Sequence, residues 1–583
     1  MESKRMSTNR YTTIWVFMTV ALCWSFSAPA KAEVIGRASN IVPSTIQVSP
    51  NGNHVLVVIV NPQTKKRQVN VDGKTLAGVY DAIAGGTPFF SEDGKHHVFV
   101  GTRGEQCMVV VDGVEQTPYT ITKEGWPIAG LIFGSDGTKT HLAYQASKDG
   151  RHYVVVNGRV LGHYDSVIVK DKPAQRGIWD FRFAGEYFAY RAKVGKQMVA
   201  CRGRIQGTNI TLVTSKPYDS IGAGSPVRMG GKTDATGGDL FAFLAKEGPG
   251  KETIRQLPGD ELISKKTWKY IAQDTLRASL NQPGEMVYVA GDTRWNVIVG
   301  EKQWPECQRL GRLMSSPSGA TWACMSKTDD KLVVMVNGVP GKVYSQIQHG
   351  ETLFPAGDER VIYGASTLDG SKTPARIVID GKEGKAYTQV RGNSVVFSSD
   401  KKSMAYVAGD GIKNFVVLDG VEGPAFDEIY GLRFAPIGSQ FAYGARRALE
   451  HFVVAGGKEL GPYENIQQES LVFSPDGKKL AWAAFGADGN WHVCLNGKTI
   501  DSGCDDIISQ ITFSPGVSMP AYVGRYLSDG KPAFALSFNG KISREYGAIW
   551  MGDGGKLFVQ ENGGIKYFAK SGSLLYRNKA EVK

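Results

Sequence analysis

The chain has 583 residues, 42% of them hydrophobic and 21% charged, and its formal charge is +12. That is too long for one ordinary core and too apolar for a disordered chain, so two or three packed domains are expected. Its 71 glycines carry no Gly-X-Y period, which excludes a collagen-like chain and points to many tight turns.

The first segment, MESKRMSTNRYTTIWVFMTVALCWSFSAPAKAEV, reads as a secretory signal peptide over residues 1–32. Lys4, Arg5 and Arg10 precede an apolar stretch, Ile14–Phe26, and small-residue cleavage sites follow at Ala28-Pro29-Ala30 and Ala30-Lys31-Ala32. The apolar stretch falls short of the ~20 residues of a membrane span, and no later segment reaches ~18 continuous apolar residues. Leu22 ahead of Cys23, where a small residue is needed, argues against lipid attachment. The mature chain is therefore expected to be periplasmic or secreted, with no stable membrane insertion once the leader is removed. Export makes nucleic acid an unfitting partner, whereas the basic balance fits an acidic protein or an anionic envelope polymer.

From residue 47 onward one pattern recurs. LVFSPDGKKLAWAA (471–484) is echoed by FFSEDGKHHVFV (89–100), LIFGSDGTKTHLAY (131–144), VVFSSDKKSMAYV (395–407) and LRFAPIGSQFAYG (432–444). Counting weaker copies gives thirteen units with a period of roughly 40 residues, most regular after Ser316. Each unit holds a second signature in which an apolar run ends in Asp-Gly or Asn-Gly, as in VVVDGV (109–114), VVLDGV (416–421) and VCLNGK (493–498). That pair is the strongest short hairpin signal, since both central residues of a type I′ turn need φ > 0. Six or seven residues later comes an aromatic and a polar residue, as in Tyr80-Asp81, Tyr164-Asp165 and Phe426-Asp427. A unit thus reads as strand A, a Ser-Pro-Asp-Gly turn, strand B, a loop, strand C, an Asp-Gly turn and strand D.

Four antiparallel strands repeated many times are the signature of propeller blades, which bury both faces by stacking on their neighbours. The expected fold is all-β, with two tandem β-propellers built from about thirteen four-stranded antiparallel blades. Rings of four to eight blades are usual. The chain is accordingly divided into residues 33–313, with about six degenerate blades, and residues 314–583, with about seven regular ones. Ile35–Asn40, ahead of the first A strand, is placed to complete the last blade. The repeated FSPDGKKLAW resembles the WD40-like, TolB-type bacterial propeller repeat over nearly the whole mature chain. That resemblance implies the fold, the periplasm and an interaction role. The α/β domain that precedes the propeller in the best-known member of the family has no counterpart here.

The repeated Ser and Asp are read as turn chemistry: Asp caps the turn and Gly supplies φ > 0. The Tyr-Asp pair is read as an aromatic packed between blades with its carboxylate bonding a backbone turn. His54, His96, His97 and His141 follow A–B turns in separate blades, so they do not converge as a metal requires. No catalytic residue, metal or cofactor is assigned. Cys494 and Cys504 flank the Asn496-Gly497 turn out of register: 494 falls opposite 499. Cys504 is then roughly 16 Å further along at ~3.3 Å per residue, beyond the ~7 Å Cα separation a disulfide tolerates. The six cysteines left after leader removal are read as buried small hydrophobes.

Function is therefore read as a non-catalytic, exported binding platform for protein–protein or envelope-polymer interaction. The alternative is a carbohydrate-active or lactone-cleaving propeller enzyme. Alternating strands place the B–C and D–A loops on one face, where sequence freedom collects. In the early blades those loops are rich in cations, Lys148, Arg151, Lys196 and Arg277 among them. The partner-binding candidates are Lys65, Lys66, Arg67, Lys170, Lys172 and Arg176, with Trp126 and Trp179 as aromatic anchors.

Overall fold

The computed structural model describes residues 31–580 apart from 38–39, 122–124, 166–177, 236, 265, 274, 280–281, 283, 330, 349–353, 355–358, 368–373, 516–517, 553–554, 561–562 and 573. Its described residues form thirteen antiparallel sheets, numbered here in chain order, and two single-turn 3-10 helices. Sheet ten is a clear example: Glu428–Phe434, Phe441–Arg447, Glu450–Ala455 and Lys458–Tyr463 lie side by side in chain order. This is the A-B-C-D meander of a propeller blade, and the expected blade number holds.

The predicted turns sit where the sequence placed them. Cys494 pairs with Thr499 across Asn496-Gly497. Both turn residues have positive φ, 50° and 86°. Asp419-Gly420 and Asp112-Gly113 repeat this geometry. The turn side chain does a second job: Oδ1 of Asn496 accepts the Leu480 amide at 2.9 Å, and that of Asp419 accepts the Met404 amide at 2.8 Å. Strand B is thereby tied to the C–D turn at its first residue.

The D strand is anchored to strand C by a bridge four or five residues past the hairpin's last pair. Tyr80 bridges Arg67, Tyr344 bridges Leu332, Phe426 bridges Asn414 and Tyr546 bridges Phe534. Cys307 and Cys504 occupy the same slot, opposite Trp295 and Trp491. A thiol there fills a position that needs apolar volume, and all six described cysteines are buried and free.

The core consists of layers between consecutive sheets. Leu56, Val58 and Val69 of sheet one pack with Phe99, Met108 and Val110 of sheet two. Val287, Val289 and Trp304 of sheet six share a layer with Trp322, Cys324 and Met335 of sheet seven. Blades bury area at ~25 cal/mol per Å² only by stacking, which is why each alternating strand keeps apolar residues on both faces.

Contacts divide the chain into two compact units, one of residues 40–71 and 75–432, the other of 1–39, 72–74 and 433–583. Within the second, Lys31–Arg37 pairs antiparallel with Leu574–Ala580 and forms the outer strand of sheet thirteen. The N-terminal segment therefore completes the last blade, as anticipated, starting four residues earlier than Ile35.

Candidate functional site

The residues that look most like chemistry are committed to turns. Ser474 is fully buried; its Oγ donates to Asp476 Oδ1 at 2.5 Å and accepts the Lys479 amide at 2.9 Å. Asp476 in turn accepts the Lys478 amide. Ser91-Asp93 and Ser398-Asp400 form the same closed loop. Hydrogen bonds from the serine hydroxyl and the backbone hold all three carboxyls below the usual Asp range. A serine whose hydrogen already goes to a carboxylate on its own turn, with its oxygen out of solvent, is not an available nucleophile.

The aromatic-acid pair on strand D resolves likewise. Tyr80 is buried and donates to Glu115 of the next sheet at 2.9 Å, while Asp81 accepts the Gly104 amide at 2.7 Å. Asp165 accepts the Gly195 amide at 2.6 Å. Burial first, then Glu115, pushes the Tyr80 hydroxyl far above its ordinary range.

The histidines are similarly engaged. His96 Nδ1 meets Asp112 Oδ2 at 2.7 Å, and buried His141 lies between Asp136 at 3.1 Å and Asn157 at 3.0 Å. Among the described residues no three His, Cys, Asp or Glu side chains converge to hold a metal. One titratable cluster joins Asp488, His492, Asp501 and Tyr522. His492 contacts Asp488 at 2.9 Å and Asp501 at 3.2 Å, and Tyr522 donates to Asp501 at 2.6 Å. The Asp501 carboxylate also accepts the Val493 and Gly503 amides and is wholly buried.

One recurrent device had no counterpart in the sequence reading. In seven sheets a Ser or Thr of the A segment donates to the carbonyl three residues back, or one ahead, while accepting an amide from strand B. Thr45 links Val42 O to Val58 N, Thr275 links Ala272 O to Val289 N, and Ser470 links Gln467 O to Ala483 N. Thr87, Ser225, Ser394 and Ser509 do the same. In sheets three, four and ten Gly130, Asp180 and Gly431 stand in the corresponding stretch at positive φ, which turns the backbone itself.

The predicted partner residues fall in different places. Lys65 is exposed at the B–C turn of sheet one, Lys66 pairs with Asp81, and Arg67 is half-buried in the bridge to Tyr80. Trp126 is half-buried against the layer between sheets two and three. Trp179 lies in the A strand of sheet four, its backbone opposite Arg191. Lys170, Lys172 and Arg176 lie outside the described residues.

Two cavities open beside the A strands of sheets four to seven. One, of about 570 Å³, is lined by Thr275, Arg277, Val289, Trp295 and Leu310–Leu313, including Arg312. The other, of about 730 Å³, is lined by Asp180, Arg182, Leu276, Arg277 and Trp322. Arg277 borders both. Arg182 and Arg312 carried no signal in the sequence, since nothing there separates an inner-strand arginine from any other surface cation.

No family profile and no curated protein matches the chain. Among solved structures it is similar to a eukaryotic initiation factor, at 11% identity over 76% of this chain and 95% of that one, with a TM-score of 0.26. It is also similar to TolB from Acinetobacter baumannii, at 15% identity over 44% of this chain and 78% of that one, TM-score 0.20. A third likeness is to the WD40 β-propeller domain of Doa1, at 11% identity over 48% and 92%, TM-score 0.21. Likenesses this weak carry no argument. The propeller reading of the blades stands on their four-strand topology and their turns.

Proposed function

We propose that the protein is an exported, non-catalytic propeller platform that uses the loop face of its early blades to hold an acidic protein or an anionic envelope polymer. One observation carries this reading. Lys65, Lys148, Arg151 and Lys196 are exposed at the B–C turns of sheets one, three and four, and none is in an ion pair among the described residues. Unneutralised cations on the short B–C turns of three early sheets attract an extended anion, and no carboxylate has to be displaced first. Asp149, between Lys148 and Arg151, offsets one of them. Export rests on the leader-like first residues, and the division into propellers at 313/314 belongs to the same proposal. Expression of residues 314–583 alone tests that division, because sheets six and seven share a buried layer across the boundary.

The function itself is tested by incubating the mature protein with anionic envelope polymers and by capture from an envelope extract. Binding is expected to weaken as salt rises. It should fall further in a Lys65→Glu, Lys148→Glu, Lys196→Glu variant and in a Lys170→Glu, Lys172→Glu, Arg176→Glu variant. Salt-independent binding, or binding untouched in both variants, would retire the reading.

A further inference from the structure

Several arginines in the early sheets are neutralised. Arg103 meets Glu115 at 2.6 Å, Arg202 meets Asp234 at 3.1 Å, and Arg255 meets Glu247 at 2.7 Å. Arg182, Arg277 and Arg312 have no carboxylate partner among the described residues, and all three line the two cavities beside the A strands. The only described carboxylate lining either cavity is Asp180, and it is already occupied. Asp180 Oδ2 meets Arg191 Nε at 2.5 Å and accepts the Gly224 amide at 3.3 Å, while Arg191 Nη1 donates to Ile221 O at 2.7 Å. The cavity walls are therefore left with three uncompensated guanidinium groups.

The remaining lining narrows the ligand. Thr275 has spent its hydroxyl on Ala272 O and Val289 N, so it offers little to a neutral polar guest. Val289, Leu310 and Leu313 are apolar, as are most of the atoms of Trp295. Arg277 and Arg312 are exposed and Arg182 is half-buried, so an anion can reach all three from solvent. A guanidinium presents a planar fork of donors that matches the two oxygens of a carboxylate or phosphate, and it stays charged at every working pH. Arg277, shared by both cavities, would let one ligand touch Arg312 on one side and Arg182 on the other.

We propose that these cavities form a binding site for a small multivalent anion whose phosphate or carboxylate groups engage Arg277 together with Arg312 and Arg182. The site is separate from the exposed lysines of the loop face and stands whether or not that face binds a partner.

Isothermal titration calorimetry of the full mature chain, at fixed ionic strength, tests it with two probes: tripolyphosphate and citrate. Saturable binding of either supports the site, and the tighter of the two tells phosphate from carboxylate preference. Arg277→Gln with Arg312→Gln is expected to weaken that probe at least tenfold, and Arg182→Gln to weaken it less. Arg277→Lys with Arg312→Lys, which keeps charge but loses the fork, should fall between. The Lys65→Glu, Lys148→Glu, Lys196→Glu variant is expected to bind the probe as the parent does. Circular dichroism melts screen out unfolded variants, and Arg277→Lys with Arg312→Lys serves as the readout should the Gln pair fail to fold. Absence of saturable binding by both probes overturns the proposal. So does undiminished binding in the folded arginine variants, or loss of binding in the loop-lysine variant.

Discussion

Gly36 and Gly73 touch back to back. A Cβ on Gly36 would lie 2.5 Å from the Gly73 Cα, and one on Gly73 would lie 1.4 Å from the Ile35 carbonyl oxygen. Gly36 belongs to the strand that completes sheet thirteen, and Gly73 is the second residue of an Asp-Gly turn at φ 83°. Arg577 adds to the same place, its Nη2 reaching Asp72 at 3.1 Å.

Gly73→Ala is therefore expected to cost more than the ~1 kcal/mol of left-handed strain alone. Gly420→Ala is the matched control: its φ is 84°, but a Cβ there meets nothing within 4 Å. Urea titration should place Gly73→Ala well below Gly420→Ala in midpoint. Equal midpoints would mean that the closing strand does not lie against this turn.

Removing the hydroxyl bridge in sheet eleven leaves the Gln467 carbonyl and the Ala483 amide without their common partner. Ser470→Ala should cost about 1–3 kcal/mol, the usual penalty for orphaned buried polar groups. Ser470→Thr should restore most of it. Hydrogen exchange at the Ala483 amide, which donates to Ser470 Oγ at 2.9 Å, is expected to speed up in the alanine variant more than exchange at its strand neighbours.

The Ser-Asp turns make stability fall in acid. Asp93, Asp400 and Asp476 are held below the usual value of 3.8 by the serine hydroxyl and a backbone amide. A depressed folded value means the unfolded chain binds the proton more readily. The stabilisation is thus complete above the ordinary Asp range and is lost as pH falls through the depressed one. A Ser91→Ala, Ser398→Ala, Ser474→Ala variant is expected to be less stable at pH 7 and to lose less on going from pH 5 to pH 2 than the parent. Parallel curves would show that the hydroxyls do not set these carboxyls.

Thiol titration reads burial and processing together. Burial raises Cys201 to about 11 and Cys324 to about 12, so neither supplies thiolate near neutrality. Native protein at pH 8 should consume no thiol reagent, and denatured mature protein should consume six equivalents, one for each described cysteine. Seven would mean that Cys23, and hence the leader, is retained.

What was legible in the sequence was what local chemistry dictates. Asn496-Gly497 announces a type I′ turn because few other pairs accept its backbone, and Cys494 opposite Thr499 follows from that turn by counting. The hydroxyl bridges were not legible, although their spacing is regular. The amide accepted lies thirteen or fourteen residues past the Ser or Thr in six sheets and nineteen past it in the seventh. Ser and Thr are common in connecting segments, so only knowledge of the strand B partner gives the position meaning. Arg182 and Arg312 were hidden for a related reason. Their distinction is that they border the same cavities as Arg277, and which blades meet at a cavity cannot be counted along one chain.

The outer strand of sheet thirteen has a consequence for the order of events in the cell. Lys31–Arg37 is made well before the strand it pairs with, and pairing waits for Leu574–Ala580 to leave the ribosome. Until then the N-terminal edge must stay unpaired, along with the row of donors and acceptors it carries. If a leader is cut after Ala30, the seven-residue strand is released whole; a cut after Ala32 removes Lys31 and Ala32, and with them the pairs to Lys579 and Asn578. The choice of scissile bond thus sets how firmly the finished chain is latched.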